Sequence, residues 1–121
     1  MPVKKILIVD DSPSDRQYLS EKLVKQGYQC VTAETGAEAV AKSKTERPDL
    51  ILMDVIMPDT NGYEATRAIT RDEATRNIPV IICTGKNQST DRLWGLRQGA
   101  KDYLTKPIDV DALIEKIHAL N

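Results

Sequence analysis

The sequence predicts a doubly wound α/β domain, in which one parallel sheet is covered by helices on both faces. Two observations lead there. Short runs rich in Ile, Val and Leu alternate five times with longer stretches of helical spacing. One of those runs, Leu50 to Asp54, is apolar without a break until it ends on an acid, as strands buried on both faces are.

Each element has its own local signal. Ile6 to Val9 is the first strand and stops on Asp10-Asp11. Ser12 then caps a helix with proline at its first position and Asp15 three residues after the cap, so a helix is expected from about Pro13 to Gln26. Its inner face would hold Tyr18, Leu19 and Leu23, and Gly27 would end it. A second strand is expected over Tyr28 to Ala33, and a second helix after Thr35, which forms a capping box with Glu38 and must stop before Pro48. Leu50 to Asp54 is the third strand. The turn signal Asn61-Gly62 precedes a third helix bearing Tyr63, Thr66, Ala68 and Ile69. Pro79 to Thr84 reads as the fourth strand, opened by a proline where a missing amide does least harm. Ser89 caps a fourth helix with Leu93, Trp94 and Leu96, ended by Gly99. Asp102 to Thr105 is a short fifth strand, and a last helix from near Asp109 places Leu113, Ile114 and Ile117 on one side. Five strands joined in this way fit the flavodoxin-like (βα)5 arrangement with strand order 2-1-3-4-5, an order taken from that analogy because periodicity cannot supply it.

Composition narrows the function. At 121 residues and 40% hydrophobic, the chain is expected to be one domain over residues 1–121, with no separate output domain. The 17 basic and 18 acidic residues are interspersed and the net charge is −1, which argues against nucleic acid or an anionic membrane surface as partner. The N-terminal apolar run is too short for a signal peptide or a membrane span, so a cytoplasmic protein is expected. Cys30 and Cys83 have no C-x-x-C spacing or adjacent histidine, and read as reduced, buried thiols. His118, the single histidine, lies away from the strand ends and is given no role.

The polar residues at the strand ends carry the chemistry. Asp10 and Asp11 follow the first strand, Asp54 ends the third, Thr84 ends the fourth and Lys106 follows the fifth. Parallel strands point their carboxyl ends one way, so these residues converge on one rim. Like charges at ~4 Å cost about 4 kcal/mol per pair at an effective dielectric near 20, so three carboxylates need cations. A hard divalent ion with oxygen ligands, most naturally Mg²⁺, would supply them together with Lys106. An anionic oxygen attached at Asp54 would then meet a metal, an ammonium and a hydroxyl, which is the equipment for phosphoryl transfer to a carboxylate. Asp10 has an alternative as a solvent-facing acid ahead of the capping serine.

The segments Val9-Asp10-Asp11-Ser12, Leu52 to Pro58, Thr84-Gly85 and Tyr103 to Pro107, in this order, resemble the receiver domain of bacterial two-component response regulators. The resemblance implies that Asp54 is the nucleophile and phosphoacceptor for a histidine kinase. It also implies that Asp10, Asp11, Asp54 and the backbone carbonyl of Ile56 bind Mg²⁺, that Thr84 and Lys106 hold phosphoryl oxygens, and that the Lys106-Pro107 bond is cis. Tyr103 is similar to the family's switch aromatic, with ordinary half-buried packing as the alternative. Trp94 is either an anchor of the output surface, formed by the fourth helix, fifth strand and fifth helix, or a core residue. The implied protein is a monomeric stand-alone regulator that acts on a target protein and is no enzyme beyond its own phosphorylation and dephosphorylation.

Residues 92–100 and Met57 to Tyr63 resemble the single-domain regulators of type IV pilus (twitching motility) chemosensory systems, served by a chemotaxis-type kinase. A phosphorylation sink or a phosphorylation-independent scaffold in the same pathway are alternatives. An aspartyl-phosphate phosphatase of the haloacid-dehalogenase type needs a second acid where this chain has Ile56, and a flavodoxin-like electron carrier needs a phosphate-cradling loop where it has Asp10-Asp11. Ile56, an apolar side chain two residues past Asp54, is expected to hinder the water that hydrolyses an acyl phosphate and to lengthen the signal. Ile56→Asn should therefore dephosphorylate faster than the native chain, and equal rates in a phosphate-release assay would defeat that role.

Overall fold

The computed structural model describes residues 2–55, 57, 61–85 and 95–120. The bounded elements are β1 (Lys5–Val9), α1 (Pro13–Lys25), β2 (Gln29–Ala33), α2 (Gly36–Thr45), β3 (Leu50–Asp54), α3 (Gly62–Arg71), β4 (Val80–Thr84), β5 (Asp102–Thr105) and the C-terminal helix α4 (Val110–Leu120). Residues 95–97 are also helical, but Ser89, Leu93 and Trp94 of the helix expected between β4 and β5 lie outside the described residues. No helix among the described residues is long and apolar enough to cross a membrane.

All strands are parallel and lie in the order β2-β1-β3-β4-β5, as the analogy predicted. Side chains alternate along the three central strands and divide the core in two. Leu7, Val9, Ile51, Met53, Val80 and Ile82 point to one face, where Ala39 of α2 and Ala65 and Ile69 of α3 cover them. Ile6, Ile8, Leu50, Leu52, Ile81 and Cys83 point to the other, where Leu19 and Leu23 of α1 and Leu113 and Ile117 of α4 close the layer. Every residue of β3 and β4 is buried, which explains why these strands read as unbroken apolar runs.

The helix starts follow their caps. Ser12 Oγ accepts the Asp15 amide, Thr35 Oγ1 accepts the Glu38 amide, and Asn61 Oδ1 accepts the Glu64 amide, each satisfying a donor that the helix leaves unpaired. Gly27 ends α1 at φ +95°, a conformation that disfavours any side chain.

Two details differ from expectation. Tyr18 is 49% exposed and not on the inner face of α1. The buried stripe of that helix is the i, i+4 pair Leu19 and Leu23, and one residue back is a 100° turn away; the Lys22 ammonium lies 5.6 Å from the Tyr18 ring centroid instead. Cys30 is only half-buried, since β2 is an edge strand, whereas Cys83 is buried in the centre and its thiol is pushed up to about 12.

Gly62 fixes how α3 meets β3. Its amide donates to Val55 O at 2.7 Å, and a Cβ on it would fall 2.0 Å from Asp54 O and 2.8 Å from Val55 Cα. The obstacle is backbone, so it cannot swing aside. Gly62→Ala should lower stability by about 1–3 kcal/mol in urea unfolding, the usual range for overpacking.

Candidate functional site

The register of the sheet assembles the site. Val9 is level with Ala33 and Met53, Asp54 with Cys83, and Thr84 with Thr105, so Asp10, Asp54, Thr84 and Lys106 leave the sheet at one rim. Asp10 is fastened at four points. Its amide donates to Ala33 O, its carbonyl accepts from Arg16 Nη1 at 2.8 Å, Oδ1 accepts the Ser12 amide at 3.0 Å and Oδ2 accepts Lys106 Nζ at 2.8 Å. It is therefore buried and faces Lys106, not solvent.

Lys106 joins the acids. Its Nζ stands 2.8 Å from Asp10 Oδ2, 3.2 Å from Asp54 Oδ1 and 3.6 Å from Asp15 Oδ2. Its own amide donates to Thr84 O at 2.7 Å, tying the end of β5 to the end of β4. The bond to Pro107 is cis. Thr84 is buried at the same rim, and Tyr103 on β5 is half-buried against the cluster that α2 and α3 cover. Ile56 and Trp94 lie outside the described residues.

Asp10, Asp11 and Asp54 each offer a carboxylate oxygen, and these oxygens lie within 4.8 Å of one another. Two of the acids are buried and Asp11 is exposed, which leaves a way in from solvent. Hard oxygen donors with a net negative charge suit Mg²⁺ or a similar divalent ion. A second cleft, of about 900 Å³, is at the opposite end of the sheet beside Pro48 and Pro79, and lacks such a cluster. Its one acid, Asp49, already accepts the Lys4 and Lys5 amides.

The charges shape one another. Burial first, and the Asp10 charge second, raise the Asp54 carboxyl above its ordinary value, while Lys106 pulls the other way. Burial alone would depress the Lys106 ammonium, but the hydrogen bond and charge of Asp10, followed by Asp54, outweigh it and hold the group above the ordinary lysine value.

Several contributors carried no sequence signal as site residues. Arg16 has a side chain only 14% exposed and bridges the Asp10 carbonyl to Glu34 at 3.1 Å. Asp15 read as a helix-start acid, and Gly62 as a turn. Nothing in the local pattern shows that an arginine one turn into α1 faces the end of β1, because that contact depends on how the helix docks.

A family profile described as response regulator receiver domain matches residues 6–118. The chain belongs to this family. Its receiver domain is 52% identical over 116 residues to protein PilH of Pseudomonas aeruginosa, covering 96% of each chain. It is 40% identical over 117 residues to the phosphate regulon transcriptional regulatory protein PhoB of the same organism, of which it spans 51%. Among solved structures, the chemotaxis protein CheY4 of Vibrio cholerae superposes on the receiver domain with a TM-score of 0.91 at 33% identity, over 98% of this chain and 99% of that one.

A raised Asp54 carboxyl means that the folded receiver domain binds this proton more tightly than the unfolded chain does, so ionisation of Asp54 works against the fold. The penalty is absent below the ordinary carboxylate range and complete above the folded value. Without divalent cations Asp54→Asn should thus be more stable than the native chain at neutral pH. Urea titrations should show the gap closing as pH falls to about 3, below the ordinary carboxylate value, and a gap that persists there would contradict the assignment.

Proposed function

We propose that this receiver domain is a phosphorylation-driven regulator whose phosphoacceptor is Asp54. The observation behind the reading is the convergence of Asp10, Asp11 and Asp54 on Lys106 at one sheet rim. A carboxylate oxygen of Asp54 attacks the phosphorus of a phosphohistidine on a kinase. The phosphorus–nitrogen bond breaks and its electron pair leaves with the imidazole. Asp10, Asp11, Asp54 and the Ile56 carbonyl are the groups that would hold Mg²⁺, which when bound offsets the charge of the transferring group. Lys106 pairs with one phosphoryl oxygen and the Thr84 hydroxyl donates to another.

Phosphorylation adds about −1.5 to −2 charges and three acceptor oxygens. Because Lys106 is tied to Thr84 through its amide, drawing these groups inward moves the ends of β4 and β5 together. Tyr103 follows as the switch aromatic, and the surface made by the helix ending at Gly99, by β5 and by α4 changes its affinity for a target protein. Shifting a population from 1:99 to 99:1 takes about 5.5 kcal/mol. Two or three charge-assisted hydrogen bonds of about 1.5–3 kcal/mol each are of that order.

The 52% identity to PilH across nearly the whole of both chains supports a stand-alone regulator, which we take to be monomeric and cytoplasmic. Together with the resemblance of residues 92–100 and Met57 to Tyr63, it supports a chemotaxis-type kinase as donor and a place in twitching motility. Incubation with Mg²⁺ and acetyl phosphate, followed by intact mass, tests the chemistry. The native chain should gain one phosphoryl group and Asp54→Ala none; gain by the variant, or none by the native chain, would refute the assignment.

A further inference from the structure

We infer that Asp15 is a specificity residue that selects phosphodonors by charge, disfavouring dianionic donors at the entrance to Asp54, a role that rests on Asp54 being the phosphoacceptor. Asp15 is the third residue of α1, and its amide is fixed by Ser12 Oγ at 3.3 Å. Its Oδ2 lies 3.6 Å from Lys106 Nζ, the outermost of three carboxylates on that ammonium. The side chains of Asp10 and Asp54 are 4% and 9% exposed, whereas that of Asp15 is 53% exposed.

With Tyr18, Leu19, Pro107 and Ile108, Asp15 lines a cavity of about 420 Å³ that also touches Asp10 and Lys106. It is absent from the trio whose oxygens gather within metal-binding distance. It thus stands beside the cation, exposed where Asp10 and Asp54 are buried, and outside the metal set.

Two effects follow, both of one sign. Asp15 takes up part of the Lys106 charge that an incoming phosphoryl group needs, and it adds a negative charge along the way in. Repulsion scales with the charge of the donor and falls with ionic strength. Acetyl phosphate is a dianion at neutral pH, whereas phosphoramidate is a monoanion with its nitrogen protonated. In both cases an Asp54 oxygen forms the new bond to phosphorus. Acetate departs with the electron pair of the broken P–O bond from the first donor, and ammonia with that of the P–N bond from the second.

The test compares phosphorylation rates of the native chain, Asp15→Asn and Asp15→Glu with each donor, followed by intact mass at saturating Mg²⁺. Asp15→Asn should react about three- to tenfold faster than native with acetyl phosphate and less than about twofold faster with phosphoramidate. In 1 M KCl, where the screening length is about 3 Å, the difference should collapse. Asp15→Glu should keep the native ratio. A structural role would instead slow both donors alike and lower the melting midpoint. An unchanged donor ratio in Asp15→Asn, or a calorimetric change in Mg²⁺ affinity that accounts for the whole rate change, overturns the role of Asp15 while Asp54 stands. No phosphorylation of the native chain by either donor overturns both.

Discussion

One ammonium holds the working end of this protein together. Lys106 Nζ reaches Asp10, Asp54 and Asp15 at 2.8, 3.2 and 3.6 Å, so acids from two strand ends and a helix start share a single cation. Without it, Asp10 and Asp54 would be buried charges with no ion-pair partner among the described residues, which is among the costliest arrangements in a protein interior. Parallel strands place the acids on one rim, and the fifth strand exists at that rim to bring the lysine. Sheet order and electrostatics are therefore parts of one solution.

The backbone around the cluster removes freedom where charge crowds. Asp10 is bound through its amide, its carbonyl and both carboxylate oxygens, with Arg16 and Glu34 linking the end of β1 to the loop before α2. Gly62 lays the start of α3 directly on the peptide that leaves β3. Asp54 thus sits between two fixed supports. Lys106 follows β5, which pairs on one side only, and its amide donates a hydrogen bond to Thr84 O. A fixed acid and a tethered cation thus face each other across the rim.

Much of this was legible in the sequence. The alternation of apolar runs and capped helices gave element order, and strand ends bearing Asp10, Asp54, Thr84 and Lys106 gave the rim. Caps were readable at Ser12 and Thr35 because each acts within three residues of itself, whereas Asn61, which read as a turn, caps α3 in the same way. Contacts that need a docked helix were not. Arg16 on the Asp10 carbonyl and Asp15 on Lys106 depend on the angle and depth at which α1 lies on the sheet, which no local pattern encodes. Tyr18 failed for a related reason: a stripe of only two leucines leaves its edges undefined, and one position decides between core and solvent. Strand order came from analogy, since each strand reads alike whatever its neighbours.

The divided core gives β5 an unusual mechanical position. Tyr103 packs against the cluster covered by α2 and α3, and its neighbour Leu104 belongs to the cluster covered by α1 and α4. Adjacent side chains of a strand leave it in opposite directions. A shift of this strand normal to the sheet therefore lifts one of them out of its layer as it presses the other in. Lys106 is two residues further on, so the strand acts as a rocker arm: a displacement at the charged end reaches both hydrophobic layers at once, with opposite sense in each.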